Sequence, residues 1–399
     1  MSNFRKFVNN IFTKISLRAI YIYQKTLSPD KWIMSPWTRW TVCRHEPHCS
    51  EYAVQSLQNR WFFDSAWDIA TRVINCKPWY TKIYDPAKYK IVFASSSQIW
   101  LAFLEEIIDN SRFELVWIIT QPDKAWGRWL HDISNPIKKF RKEKLEVEEI
   151  PILEPLKLNP EKSQEWKDFA RDLSLLDADF LVVISYWRII PQAILDIPKL
   201  WPINIHGSIL PQYRWASPIQ TSLLNWDKET WITIMYMDAK LDEWDIIDIC
   251  KFPININDNS ETIINKISIN WPKFMADTII DFAHWHLHRQ SQIHDQATFS
   301  SKFTKEDAKI DIYKDKIKSI YQKYQWYYIW PKIRFEIWDK RFTIDKIELQ
   351  KDIYISWEYS DLWLIDNNRN LNKSIKNIYI KPEGKKSMDF KARKNGYWK

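Results

Sequence analysis

The chain has 399 residues, 45% of them hydrophobic, so it is too long for one ordinary core and too apolar to be a disordered chain. Its formal net charge of +8 resides in the first ninety residues, which hold 14 Lys+Arg against 6 Asp+Glu, while the remainder balances to zero. Four cysteines exclude a disulfide-framed secreted scaffold, and no uncharged apolar run is long enough to cross a bilayer as a helix.

Residues 3–26 are predicted to form a helix. Phe4, Phe7, Val8, Ile11, Phe12, Ile15 and Ile22 recur at roughly helical spacing, interleaved with Arg5, Lys6, Lys14, Arg18 and Lys25. That composition suits a helix lying in a membrane interface, and it also suits a helix packed on its own small domain. The start lacks the apolar core and small-residue cleavage site of an export signal, which implies a cytoplasmic protein, peripheral at the inner face of the cell membrane. A stretch from Ser35 to Ser50 containing prolines and cysteines comes next. It is followed by a helix from about Glu51, a break at Trp61, a second helix to about Asn75, and a linker from Lys77 to Pro86. Cys43, His45, His48 and Cys49, with Cys76 further on, have a spacing that fits no standard zinc arrangement, so no metal is expected. His284, His286 and His288 do not share one helix face and are expected to be solvated.

From Tyr89 the pattern becomes alternating strands and helices. YKIVFA, FELVWIIT, ADFLVVIS and PINIH are short apolar runs suited to strands buried on both faces, with helical stretches around 98–110, 134–147 and 162–173 between them. Later strands are expected in TWITIMYMD and IIDICKFPI, and a long helix over 258–288. The alternation predicts an α/β fold with a doubly wound, mostly parallel, Rossmann-like sheet. A helix over DIYKDKIKSIYQKY and β-type segments such as RFEIWDKRFTIDKIEL predict a small β domain at the end. FASSSQIW lacks the glycine spacing of a dinucleotide turn, so no nicotinamide is expected.

In an open parallel sheet the reactive groups collect beyond the carboxyl ends of the strands. Asn204 and His206 are alternate residues at the end of PINIH, and Asp242 lies in a later polar turn. An imidazole that accepts a proton near neutral pH, a carboxylate to orient it and an amide to donate to a developing oxyanion make a coherent proton-transfer site.

Glycine is abnormally rare. There are 4, about 1%, where roughly 7% is usual, and 25 tryptophans. Trp126 and Trp129 flank Gly127, Trp215 follows Arg214 in a polar loop, and Trp244 lies in LDEWDI, all places that want a residue without Cβ. Most tryptophans are therefore read as glycines encoded by UGA and rendered with the wrong code, with Trp330, before Pro331 in an aromatic segment, expected to be genuine.

NIHGSILPQYRWASPIQ resembles the signature of the methionyl-tRNA formyltransferase family, and the resemblance runs over nearly all of 89–396. VWIITQPDKAWGRW, FLVVISYWRIIPQAILDIP, WITIMYMDAKLDEWDII, ATFSSKFTKEDAKID and KPEGKKSM all resemble family segments, and the family has glycine at Trp117, Trp126, Trp129, Trp187, Trp215, Trp231 and Trp244. The resemblance implies a catalytic domain over 89–290 and a barrel-like, tRNA-binding β domain over 300–399. It implies formyl transfer from 10-formyltetrahydrofolate to the α-amine of initiator methionyl-tRNA, with Asn204, His206 and Asp242 catalytic. It also implies that Ser208, Ile209, Leu210 and Pro211 contact the cofactor, and that a loop with Lys124, Arg128, Lys138, Lys139 and Arg141 contacts tRNA. Ser95, Ser96 and Ser97 replace the family's glycine-threonine-proline loop, a departure that recoding does not explain. Residues 17–86 resemble the membrane protein insertion efficiency factors, the YidD family, through YQKTLSP, CRHEPHCSEYAVQSL and INCKP, which implies an anionic membrane surface as partner for 1–86. Related transferases of amino sugars or purine precursors, and a chiefly membrane-surface role, remain as alternatives.

Overall fold

The computed structural model describes residues 2–26, 43, 45–76, 83–126, 131–133, 135–144, 149–155, 164–186, 188–238, 242–284, 286–337, 340–349 and 375–390. They fall into two compact units, one of Met1–Asn204 with Pro272–His288, the other of Ile205–Trp271 with Arg289–Lys399.

The first unit opens with three helices, α1 (Ser2–Thr26), α2 (Cys49–Asn59) and α3 (Phe62–Asn75). The backbone N–H of Phe62 donates to Asn9 Oδ1 at 2.6 Å and the Phe12 and Phe62 rings lie 5.3 Å apart, so α1 packs on α3. Several of its apolar residues stay outside: Ile15 is 62% exposed and Ile22 56%. On α3, Phe63, Trp67 and Ile74 are likewise exposed.

Strands β1 (Tyr89–Ser95), β2 (Phe113–Ile119), β3 (Ile152–Leu153), β4 (Phe180–Ile184), β5 (Trp201–His206), β6 (Glu229–Tyr236) and β7 (Ile246–Pro253) form one seven-stranded sheet in the order β7-β6-β5-β4-β1-β2-β3. Pairings β1 with β2, β1 with β4 and β2 with β3 are parallel, and β6 with β7 is antiparallel. The continuous apolar runs have the expected cause, since Ile91–Ala94 and all of Phe180–Ile184 are buried on both faces. Helices α4 (Leu101–Asp109), α5 (Pro136–Glu143) and α6 (Gln164–Leu175) fill three of the predicted crossovers. Helix α5 starts where Asn135 Oδ1 accepts from the Ile137 N–H and Pro136 occupies the first turn.

A cluster around Asp85 joins the N-terminal helices to this sheet. Arg72 of α3 pairs with Asp85 Oδ2, Arg112 Nη2 donates to Oδ1 at 2.6 Å, and His284 Nε2 lies 3.0 Å from the same oxygen. Arg112 Nη1 also donates to the Tyr52 hydroxyl of α2 at 2.8 Å, and the Arg72 guanidinium stacks over the Tyr52 ring. Burial raises the Asp85 carboxyl, but the His284 hydrogen bond and the two guanidinium charges outweigh it and hold the group well below the usual carboxylate range. His284 is thus bound rather than solvated as expected, because the end of its helix meets the Asp85 loop; His286 and His288 are exposed.

In the second unit, helix α7 (Pro218–Leu224) follows β5, and α9 (Ile317–Trp326) packs on an antiparallel sheet. That sheet has strands β8 (Arg334–Ile337), β9 (Lys340–Leu349), β10 (Ile375–Pro382) and β11 (Met388–Asp389), adjacent in that order. Ile320, Tyr324, Phe335, Phe342, Ile344 and Ile380 fill its core. Gly384 turns β10 into β11 at φ 73, a conformation that favours glycine. Helix α8 (Ser260–Ala283) carries Pro272 within it. Helix α9 begins six residues later than the sequence predicts. Asp311 Oδ1 accepts from the N–H groups of Tyr313 and Lys314, and Asp315 from that of Asp311, so side chains take the amides an earlier start would need.

Candidate active site

His206 is the last residue of β5, buried at 8% exposure. The next residue must be glycine for space, since a Cβ on Gly207 would meet Ile219 Cγ1 at 2.9 Å. The chain then turns through Ser208–Tyr213. Ser208 Oγ donates to the Gln212 carbonyl at 2.7 Å, and Thr233 Oγ1 donates to the Ser208 carbonyl at 2.6 Å while accepting from the Leu210 N–H at 3.3 Å. The turn brings the Tyr213 carbonyl to 3.1 Å from His206 Nε2. A carbonyl only accepts, so that nitrogen carries the proton in this contact.

His206 Nδ1 faces Asp242 Oδ1 at 3.9 Å, adjacent but too far for a hydrogen bond. Asp242 Oδ2 is held instead by the Trp215 N–H at 2.8 Å. Asn204, two residues before His206 on the same strand and half-buried, faces the same side by strand alternation. Tyr213, Trp215 and Asp242 all have left-handed backbones, at φ 57, 81 and 54. Three such residues around one imidazole mark a stretch whose shape is imposed by its surroundings.

Two residues that the sequence reading passed over hold the Asp242 loop. Arg214 is 2% exposed and its Nη2 donates to Gln292 Oε1 at 2.8 Å; Gln292 Nε2 in turn donates to the carbonyls of Asp242 (3.1 Å) and Trp244 (2.6 Å). Arg214 Nη1 also lies 3.5 Å from Glu243. Arg214 lies within the recognised signature, but its burial needs Gln292, 78 residues away, and no local pattern signals that pairing.

Other predicted positions fare differently. Ser95 and Ser96 follow the buried core of β1 with their hydroxyls buried and without partners, and the Tyr186 hydroxyl after β4 is in the same state. Burial pushes the Tyr186 phenol up to about 12, with Arg188 pulling the other way. Unsatisfied buried polar atoms at the carboxyl ends of neighbouring parallel strands fit a polar ligand. Lys138 is already engaged by Asp123 (2.7 Å) and Glu154 (3.0 Å), whereas Lys139 is 71% exposed. Lys124 is on a short strand, Lys124–Trp126, and Arg128 lies outside the described residues, as do Trp129 and Trp187.

The tryptophans expected to be glycine carry local misfits. Trp215 has φ 81 and lays its half-exposed ring against Phe299, centroids 4.5 Å apart and tilted by 43°, and Trp226, after α7, has φ 55. Trp117 and Trp244 are buried with indole N–H groups lacking partners. Trp330, expected to be genuine from its aromatic segment, is 56% exposed.

The open, mostly parallel sheet and the histidine and carboxylate past one strand end lie in a stretch, residues 89–279, that matches the family model described as formyl transferase, which makes the chain a one-carbon transferase. Methionyl-tRNA formyltransferase of Hydrogenobaculum sp. (strain Y04AAS1) is 34% identical over 234 residues, 59% of this chain and 72% of that protein. The chain belongs to the methionyl-tRNA formyltransferase family. Residues 12–88 match a second family model, that of membrane protein insertion efficiency factor, YidD. Among solved structures, a variant of HypX from Aquifex aeolicus superposes with a TM-score of 0.51 at 12% identity, covering 78% of this chain and 48% of that one. The chain thus spans about half the length of HypX. Methionyl-tRNA formyltransferase from Clostridium thermocellum gives a TM-score of 0.43 at 16% identity, over 66% of this chain and 94% of that one.

Proposed function

We propose that this formyltransferase moves the formyl group of 10-formyltetrahydrofolate to the α-amine of methionyl-initiator tRNA, and the observation that carries the site assignment is His206 facing Asp242 past the end of β5. The neutral amine, with a usual pKa near 8, attacks the formyl carbon. The new C–N bond forms, a tetrahedral oxyanion develops, and the bond to the folate nitrogen breaks as that nitrogen takes a proton. Asn204 donates to the oxyanion, a contact type worth roughly 3 kcal/mol. With its Nε2 proton donated to the Tyr213 carbonyl, His206 takes the amine proton on Nδ1, and Asp242, anchored by the Trp215 N–H, faces that nitrogen and stabilises the imidazolium that forms. Ser208–Pro211 contacts the folate, and the loop carrying Lys124, Arg128, Lys138, Lys139 and Arg141 contacts tRNA phosphates. Within that loop the ion pairs of Lys138 suit a shaping role and the exposure of Lys139 suits a phosphate contact. The curated relative and the β domain ending in KPEGKKSM favour tRNA over a sugar or purine acceptor. A formyl-transfer assay offering methionyl-tRNA, an amino-sugar nucleotide and a purine precursor tests this; turnover confined to either small acceptor overturns it.

The N-terminal helices carry a second role. Ile15, Ile22, Phe63, Trp67 and Ile74 are exposed on the most basic part of the chain, which supports docking on an anionic bilayer. Among the described residues no helix is long and apolar enough to cross a membrane. Flotation of the full chain with anionic vesicles is expected at low salt, weakening at high salt, and equal binding to neutral vesicles counts against it.

The protein made in the cell has glycine at the UGA positions. The left-handed Trp215 and Trp226 and the unpartnered indoles of Trp117 and Trp244 support this. Mass spectrometry of native peptides covering 112–141 and 203–250 decides it, since tryptophan masses there rule it out.

A further inference from the structure

Among the described residues, one group of side chains has the makings of a metal centre, and it lies in the N-terminal segment. Its members come from four places: Cys43 ahead of a two-residue strand, His45 in that strand, Cys49 as the first residue of α2, and Cys76 just past the end of α3. Their ligand atoms all lie within 4.8 Å of one another. Cys43 Sγ is 3.1 Å from Cys49 Sγ and 3.5 Å from Cys76 Sγ, and Cys49 Sγ is 3.7 Å from His45 Nδ1.

We propose that Cys43, His45, Cys49 and Cys76 bind one zinc ion as a structural Cys₃His site. Zinc bonds of about 2.3 Å to sulfur and 2.0 Å to nitrogen set tetrahedral edges of about 3.8 Å between sulfurs and 3.5 Å between sulfur and nitrogen. The two sulfur–sulfur separations fall short of their edge by about 0.7 and 0.3 Å and the sulfur–nitrogen separation exceeds its edge by about 0.2 Å, so the four side chains need only small shifts to close on an ion. A single disulfide would use two of the three thiols and leave the third thiol and the imidazole without a purpose. The sequence spacing conceals the site because its fourth ligand comes from the far end of a helical hairpin, not from a second short-spaced pair.

Two surroundings favour the ion. On binding, three thiols lose their protons to solvent and the centre carries one net negative charge. The N–H of Cys49, in the first turn of α2, already donates to Cys43 Sγ at 3.2 Å, and Arg72 Nη2 donates to the Pro47 carbonyl at 2.8 Å, bringing a guanidinium to the loop between His45 and Cys49. The second is the scarcity of core. The buried apolar residues of α2 are Tyr52, Ala53 and Leu57, and α3 adds none, its buried positions being Ser65 and Arg72. A helical hairpin with so little apolar interior is the kind of structure that a metal staples.

The test uses the full chain. Elemental analysis of protein purified without chelator is expected to give about one zinc per chain, and cobalt(II) exchange to give visible bands of tetrahedral cobalt with thiolate charge transfer in the near ultraviolet. Cys76→Ser is expected to lose both. Because that variant can also misfold, His45→Cys is the companion: it keeps the metal with an all-thiolate site, and its cobalt charge-transfer band grows relative to the parent. Metal-free parent protein, a Cys43–Cys49 disulfide in mass spectra of alkylated peptides, or equal metal content in parent and Cys76→Ser overturns the proposal.

Discussion

Two largely buried carboxylates among the described residues face a histidine, and they do so in opposite ways. Asp85 is enclosed by His284 at 3.0 Å, by Arg112 at 2.6 Å and by Arg72. Asp242 faces His206 across 3.9 Å and spends its nearer bond on a backbone N–H. The first arrangement is complete and has nothing left to offer a ligand. The second leaves an imidazole and a carboxylate near each other and not yet joined, as catalytic pairs often are before substrate tightens them. A short ion pair is therefore the poorer sign of chemistry here.

The comparison is broken most strongly at His206. His206→Ala is expected to lower formyl transfer by about 10²–10⁴-fold while the melting temperature stays near the parent's. A turnover equal to the parent's would remove His206 from the mechanism. Asp85→Asn should do the reverse, leaving buried Arg72 and Arg112 uncompensated at a cost of about 3–5 kcal/mol, read by thermal unfolding. Acid should act on the same group. Its folded pKa is depressed, so its contribution is present above the unfolded value of about 3.9 and fades as pH falls below that towards the folded one. The parent should lose stability in that range more steeply than Asp85→Asn, and parallel curves would contradict this.

Gln292→Leu is an intermediate case. It strips Arg214 of one acceptor, leaving Glu243 and His294, and two carbonyls of their donor, for about 1–3 kcal/mol. If Gln292 positions the Asp242 loop, kcat falls while KM for the folate changes little; a fall in stability alone would make it merely structural. The smallest effect is expected from Trp215→Gly. Relieving a left-handed tryptophan stabilises by about 1 kcal/mol and leaves the Asp242 bond intact, because the donor is backbone. A destabilised variant would count against glycine as the natural residue.

Much of this was legible in sequence. Buried parallel strands announce themselves as apolar runs, and Asn204 and His206 share a strand end by alternation alone. Asp242 was only suggested by its polar turn and was singled out by the resemblance, since its approach to His206 depends on two separate loops that together carry three left-handed residues. Arg214 with Gln292, and Asp85 with Arg112 and His284, were hidden for a simpler reason. Each pairing joins residues from distant elements, and a charged residue in a loop looks solvated until the fold buries it.

The Asp85 cluster also sets a timetable during synthesis. Arg72 precedes Asp85 by 13 residues, Arg112 follows by 27, and His284 follows by 199. At about 5–20 residues per second, the imidazole leaves the ribosome roughly 10–40 seconds after the carboxylate it completes. For that interval the amino-terminal helices are already out while their cluster still lacks its imidazole, with the exposed apolar side chains ready for whatever surface the ribosome is near.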